Sequence, residues 1–133
     1  TVRFFNLVDG SLMDATRHGL MHSSGNLKNM SNGVKFVVVD RGQGKIALKT
    51  VDGRYVYIAG AGLSGDVRLT SDASKAEEFV WQDMLYNHCM LLSLKMQRYV
   101  GKHTADGSPY SADFQGADAG MKNGCVFAWE IVE

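Results

Sequence analysis

The chain has 133 residues, which suits one domain rather than two. Its 14 Lys plus Arg cancel 14 Asp plus Glu, and zero net charge excludes a duplex nucleic-acid binder or a polybasic membrane anchor, both of which need a cationic face. With 45% hydrophobic residues the composition is that of a folded domain, and its longest apolar runs, such as Phe36–Val39 and Met90–Leu92, are far shorter than the ~20 residues of a membrane-spanning helix.

Fifteen glycines stand against one proline, Pro109, a balance that predicts tight turns between short strands rather than a flexible linker. The N-terminal stretch Thr1-Val2-Arg3-Phe4-Phe5 has no charged segment ahead of a long apolar one, so no targeting signal is read there. The absence of an initiator Met points to a processed chain or an excised domain.

Taken in order, the elements repeat. Phe4–Met13 opens the chain with an apolar strand, the turn Val8-Asp9-Gly10 and a second apolar stretch. Val34-Lys35-Phe36-Val37-Val38 alternates with period two. Ala47–Val56 repeats the opening pattern, with Val51-Asp52-Gly53 placed 43 residues after its first copy. Four alternating stretches follow in this second unit: Ile46–Leu48, Tyr55–Ile58, Val67–Leu69 and Glu78–Gln82. Between the last two, Ser74 precedes Glu77 with the spacing of a helix-capping pair, and Ala73–Phe79 is read as a short turn entering a strand. Leu91–Val100 is the third copy, repeating Arg-Tyr-Val 44 residues after Arg54-Tyr55-Val56. Cys125-Val126-Phe127-Ala128-Trp129 closes the chain as a counterpart of Glu77-Glu78-Phe79-Val80-Trp81. Weaker midpoints fall at Leu27, Leu69 and Phe114.

The expectation is a single all-β domain, 1–133, of three four-stranded repeats at about 1–44, 45–87 and 88–133. One such unit cannot close a core or hide its sheet edges, whereas three around an axis can do both, with their outer strands forming a barrel and the middle hairpins capping one end. The expected interior is Phe5, Leu48 and Leu92; Leu12, Tyr55 and Tyr99; Phe36, Phe79 and Phe127; Val38, Trp81 and Trp129.

This pattern resembles a β-trefoil. Asp52-Gly53-Arg54-Tyr55-Val56 with Glu77-Glu78-Phe79-Val80-Trp81 is most similar to the fascin-like branch. Arg98-Tyr99-Val100-Gly101 and Asn123–Glu130 resemble accessory trefoils of secreted bacterial polysaccharide-degrading enzymes. The Gln-x-Trp signature of ricin-type lectins is missing, so that group's sugar-site residues are not carried over. The resemblance implies a secreted or periplasmic carbohydrate-binding module for oligo- or polysaccharide, with a catalytic domain of the same parent chain as a candidate partner. The other implied reading is a fascin-like protein-interaction trefoil, actin-binding or inhibitor-like. An exposed patch of Leu20, Met21, Met30 and Met121 would favour it.

Catalytic motifs are not found. Gly62-Leu63-Ser64-Gly65 is one residue short of a nucleophile elbow, so Ser64 reads as a turn residue. Gly60-Ala61-Gly62-Leu63-Ser64-Gly65 matches Gly-x-Gly-x-x-Gly, but no helix follows to receive a phosphate, and a hairpin loop is the better reading. His18 and His22 stand four apart in a Gly/Ser-rich stretch without further metal ligands, so neither a metal nor a cofactor is expected. His88 reads as structural. Cys89 and Cys125 are placed at the starts of two antiparallel strands of the third repeat, at opposite ends, so two free buried thiols are expected.

Sugar recognition pairs an aromatic face with groups that take up hydroxyls. The third repeat offers Lys102, His103, Asp106, Tyr110, Asp113 and Asn123, with Asp113 and Asp106 accepting, His103 and Lys102 donating and Tyr110 stacking. The second repeat offers Tyr57, Asp66 and Arg68. The first offers Asp14, His18 and Asn26, with no aromatic.

Overall fold

A computed structural model of the chain describes residues 1–16, 19–23, 32–59, 65–102 and 110–132. The first repeat contributes β1 (Val2–Asn6), β2 (Leu12–Thr16), β3 (Gly19–Ser23) and β4 (Phe36–Gly42). The second contributes β5 (Lys45–Thr50), β6 (Tyr55–Ala59), β7 (Asp66–Thr70) and β8 (Phe79–Met84). The third contributes β9 (His88–Ser93), β10 (Arg98–Gly101), β11 (Ser111–Phe114) and β12 (Phe127–Ile131). Among the described residues the only helical pieces are three-residue 3-10 turns, and no helix is long and apolar enough to cross a membrane.

The first and last strands of each repeat close a six-stranded antiparallel ring in which β1 pairs β4, β4 pairs β5, β5 pairs β8, β8 pairs β9, β9 pairs β12 and β12 returns to β1. Closure removes the free sheet edges that one repeat would expose. The hairpins β2–β3, β6–β7 and β10–β11 gather at one end, and β7 meets β11 through Asp66 opposite Ser111. The chain is a β-trefoil.

Alternation along each strand sends one side chain in and the next out. Phe4, Phe36, Phe79 and Phe127 are fully buried in the ring. Phe4 stands 6.0 Å from both Phe36 and Phe127, with Trp81 at 5.5 Å. Trp81 and Trp129 pack edge to face at 5.6 Å, half-buried beneath this layer with Val38. From the capping hairpins Met13, Leu20, Val56, Ile58, Val67 and Ala112 fill the other end.

Two of the expected core sets are corrected. The inward triad is Phe4, Leu48 and Leu91; Phe5 and Leu92 lie one step out of phase and point outward, half-buried. The cause is turn length. Asn6, Thr50 and Ser93 occupy equivalent buried positions at the ends of β1, β5 and β9. The turn after Thr50 closes with Gly53 N donating to Thr50 O, three residues on. After Asn6 and Ser93 it closes four residues on, through Gly10 N and Gln97 N. Alignment on the post-turn motif therefore shifts β1 and β9 by one residue, which reverses every side chain. Tyr55 also leaves the core and sits half-buried on the outer face, while Leu12 is buried; Tyr99, half-buried, packs not into the ring but against a second small cluster of Met90, Phe114, Cys125 and Val126. The cations of Arg41 and Lys49 lie 6.0 and 5.7 Å from the Tyr55 ring.

Asn6, Thr50 and Ser93 also cap their own turns. Val8 N donates to Asn6 Oδ1 (3.0 Å), Arg54 N to Thr50 Oγ1 (2.9 Å) and Met96 N to Ser93 Oγ (3.1 Å). Buried polar side chains are retained there because they satisfy turn amides that would otherwise be lost from water. Longer side chains then join the repeats. Arg54 Nη1 donates to Thr16 O (2.8 Å), and the buried Glu77 carboxylate accepts Lys95 N (3.2 Å). Lys102 reaches back to Asp9.

The short turn before β8 forms at Ala73–Lys75, but its cap is Asp72, whose carboxylate accepts Ser74 N at 3.0 Å. Glu77 is instead turned inward. Both cysteines are free and fully buried, as expected, although the strand argument fails: β9 and β12 pair through their starts, with Phe127 opposite Cys89 and Ala128 opposite His88.

Candidate functional site

The third-repeat cluster does not assemble as expected. Lys102 is only 2% exposed and Tyr110 only 1%, so neither is placed to meet a sugar from solvent. Tyr110 packs into the main core with its ring 5.8 Å from Phe127. Lys102 extends under the first repeat, where its ammonium donates to the Asp9 carboxylate and to Ser11 Oγ (3.1 Å). Burial alone would push the Asp9 carboxyl up; hydrogen bonds from Lys102 and Ser11 outweigh it and hold the group at about 2. The neighbouring Asn6 Nδ2 donates to Gly124 O at 2.8 Å, so the first and third repeats meet through a satisfied polar network. These residues were missed as structural because Asp9 and Lys102 are distant in sequence.

Asn123 is half-buried and donates through Nδ2 to Asp118 O (2.9 Å), while its carbonyl accepts Lys102 N (3.0 Å). It serves the local turn. His103 and Asp106 lie outside the described residues, as do His18, Asn26, Leu27, Met30 and Gly60–Ser64. Gly65, the last glycine of the Gly-x-Gly-x-x-Gly match, lies against β11: its carbonyl accepts Ala112 N at 2.7 Å, and an added Cβ would stand 2.7 Å from Ala112 O. Close strand contact explains that glycine.

The second-repeat residues do converge. Tyr57 on β6 is directly opposite Arg68 on β7, and Ala59 is opposite Asp66. Residues that face each other across an antiparallel pair share one side of the sheet. Asp66 in turn opposes Ser111, two positions from Asp113 on the same side of β11. The outer face of the hairpins thus carries Tyr57, Arg68, Asp66 and Asp113, while Val56, Ile58, Val67 and Ala112 face the core. Asp66 and Arg68 form an exposed ion pair at 3.4 Å, and Ser111 Oγ donates to Asp113 (3.0 Å).

Beside Tyr57 lies an open groove of about 770 Å³, bounded by β6, the 74–78 segment and the turn at Leu94–Lys95. Its polar lining comprises Tyr57, Ser74, Lys75, Glu77, Glu78 and Lys95, of which Glu77 is buried and already accepts Lys95 N. Glu78 is partnered by Lys45 at 3.6 Å. The groove therefore offers an aromatic ring, a serine hydroxyl, the accessible carboxylate of Glu78 and two ammonium groups around one opening, with the Glu77 carboxylate buried at its floor. Of these only Tyr57 stood out in the sequence, because the others derive from a turn whose position depends on the fold.

Two solved structures show how widely the fold is shared. A designed 3-fold symmetric protein, ThreeFoil, matches with a TM-score of 0.80 at 12% identity, covering 98% of both chains. An exo-beta-1,3-galactanase from Clostridium thermocellum matches with a TM-score of 0.78 at 13% identity, covering 98% of this chain and 30% of the galactanase. No family model and no curated protein matches the sequence. At these identities the likeness establishes the fold alone.

Proposed function

We propose that the chain is a non-catalytic carbohydrate-binding module that uses the groove beside Tyr57 together with the adjoining Asp66, Arg68 and Asp113 face. The observation that carries this reading is the groove itself, where a partly exposed tyrosine borders an open depression supplied with hydroxyl, carboxylate and ammonium groups. A pyranose presents an apolar C–H face to an aromatic ring and hydroxyls at its rim to donors and acceptors. Glu78 and Asp66 would accept, and Lys75, Lys95 and Arg68 would donate. The resemblance of the fold to part of a galactanase supports a glycan ligand. An extracellular polysaccharide partner, with a catalytic domain in the same parent chain, belongs to the same proposal.

The alternative protein-interaction reading looked to a methionine-rich patch. Leu20 is buried at 2% exposure, so it does not join Met121 on the surface. Binding is tested by glycan array and calorimetry, including β-1,3-galactan fragments, on the wild type and on Tyr57→Ala and Asp66→Ala. Loss of one stacking ring, worth about 1 kcal/mol, is expected to weaken binding about fivefold in Tyr57→Ala. Unchanged affinity in both variants, with folding intact by circular dichroism, refutes the site.

A further inference from the structure

The outer wall of the barrel carries a second set of groups away from the capping hairpins. Met84 on β8 is opposite His88 on β9, His88 is opposite Ala128 on β12, and Ala128 is opposite Phe5 on β1. Alternation puts all four on the outer side of the barrel wall, because their neighbours Cys89, Phe127 and Phe4 are fully buried; Met84 is exposed and His88, Ala128 and Phe5 are half-buried. At about 4.8 Å per strand, the row is roughly 14 Å long. Ala128, the smallest member, lies between the imidazole of His88 and the ring of Phe5. The Arg3 guanidinium lies 5.3 Å from the Phe5 ring centroid and is ion-paired with Glu130, so this edge is polar but electrically balanced.

Tyr86 stands beside the row, in the turn that joins Met84 to His88. It is 87% exposed, and its ring meets His88 edge-on at 6.5 Å. Tyr86 and Asn87 occupy the middle of a hairpin turn closed by His88 N donating to Leu85 O, both with left-handed backbone (φ 63° and 58°). Asn and Gly tolerate that conformation at low cost; an aromatic residue does not. A strained position thus holds a ring out in water beside the His88 imidazole.

We infer that this strip is a second carbohydrate-binding site, taking a neutral oligosaccharide of about three pyranose units laid across β8, β9, β12 and β1. The ligand class rests on the function proposed above. The strip's own features favour it over other occupants. All four strands are already paired with their neighbours, which leaves no backbone edge for an added peptide strand. The row itself carries no Lys or Arg, and Arg3 beside it is paired with Glu130, which leaves an anionic membrane no unpaired cation to hold. Tyr86 supplies an exposed ring face for a C–H surface, while the half-buried Phe5 ring is met by the Arg3 guanidinium, and Asn87, His88 and Glu130 supply polar groups for hydroxyls.

The test is amide NMR titration of the ¹⁵N-labelled chain with the neutral trisaccharides β-1,3-galactotriose, cellotriose and mannotriose. Tyr86→Asn removes the ring but suits the turn, so the fold is preserved; Tyr57→Ala disables the groove. At least one trisaccharide is expected to shift Tyr86, His88 and Ala128 in the wild type and in Tyr57→Ala, with affinity at these resonances at least fivefold weaker in Tyr86→Asn. Shifts confined to Tyr57, Lys75 and Lys95 overturn the strip and leave the groove standing. So does equal strip affinity in the wild type and Tyr86→Asn. Shifts confined to the strip do the reverse, and no shift with any trisaccharide overturns both.

Discussion

Replacing Asp9 by Asn isolates the charge in the clamp between the first and third repeats. The Lys102 side chain is 2% exposed, and its ammonium has the Asp9 carboxylate and Ser11 Oγ (3.1 Å) as partners. Asn at position 9 retains an oxygen but leaves the buried cation without a counter-charge. Stranding one member of a buried pair costs about 3–5 kcal/mol. The Asp9 side chain is 44% exposed, so water screens part of the interaction, and the expected loss is discounted to about 2 kcal/mol. For a chain of this length that is a fall in Tm of roughly 8 °C at pH 7. Lys102→Met leaves the Asp9 carboxylate without its counter-charge, but that group is 44% exposed and keeps its water, so the variant is expected within about 1 kcal/mol of the wild type, with Asp9→Asn/Lys102→Met more stable than Asp9→Asn alone. The pH dependence has a definite sign. The folded carboxyl titrates at about 2 against an ordinary 3.8, so its contribution is present above 3.8 and lost as pH falls toward 2. Asp9→Asn lacks that acid limb. Urea unfolding followed by fluorescence between pH 2 and 7 measures both effects. A loss below about 0.5 kcal/mol in Asp9→Asn, or no recovery in the double variant, refutes the clamp.

Further outcomes follow from burial and backbone geometry. Tyr110→Ala is expected to cost about 3–5 kcal/mol in urea unfolding, as for any large buried aromatic; a loss under 1 kcal/mol would return Tyr110 to the surface. Burial pushes the thiols of Cys89 and Cys125 up to about 12, so a thiol-exchange reagent at pH 8 is expected to label neither until denaturant is added, and prompt labelling would contradict their placement. Gly124 has φ +66°, and a Cβ there would stand 2.7 Å from Lys102 Cγ, so Gly124→Ala is expected to lose about 1–3 kcal/mol by thermal melting; an unchanged Tm would show that the Lys102 stem gives way freely.

The fold was legible because its signals are local and appear three times. Period-two alternation marks β5 to β8 within a residue or two of their observed limits, and Phe36, Phe79 and Phe127 recur in phase to occupy one buried layer. What alternation cannot supply is absolute phase. The adjacent pairs Phe4-Phe5 and Leu91-Leu92 each offer two apolar candidates, and only the extra residue in the following turn decides which one points in. The site was less legible for a related reason. Lys102 looked like a surface donor because its partner Asp9 belongs to another repeat, and Tyr110 looked like a loop aromatic although its ring lies against Phe127. Tyr57, Asp66 and Arg68 came together because one hairpin carries all three.

The joins between repeats differ in chemistry: a guanidinium on main-chain carbonyls at Arg54, a carboxylate on a main-chain amide at Glu77, and an ammonium on a carboxylate at Lys102. Each third of the barrel is therefore keyed to a particular neighbour. A tandem copy of any single third would close a ring of the same outline without all three keys, because Arg54 and Glu77 belong to the second repeat, Lys102 to the third and Asp9 to the first; the symmetry of the backbone is thus wider than the symmetry of the side chains that lock it.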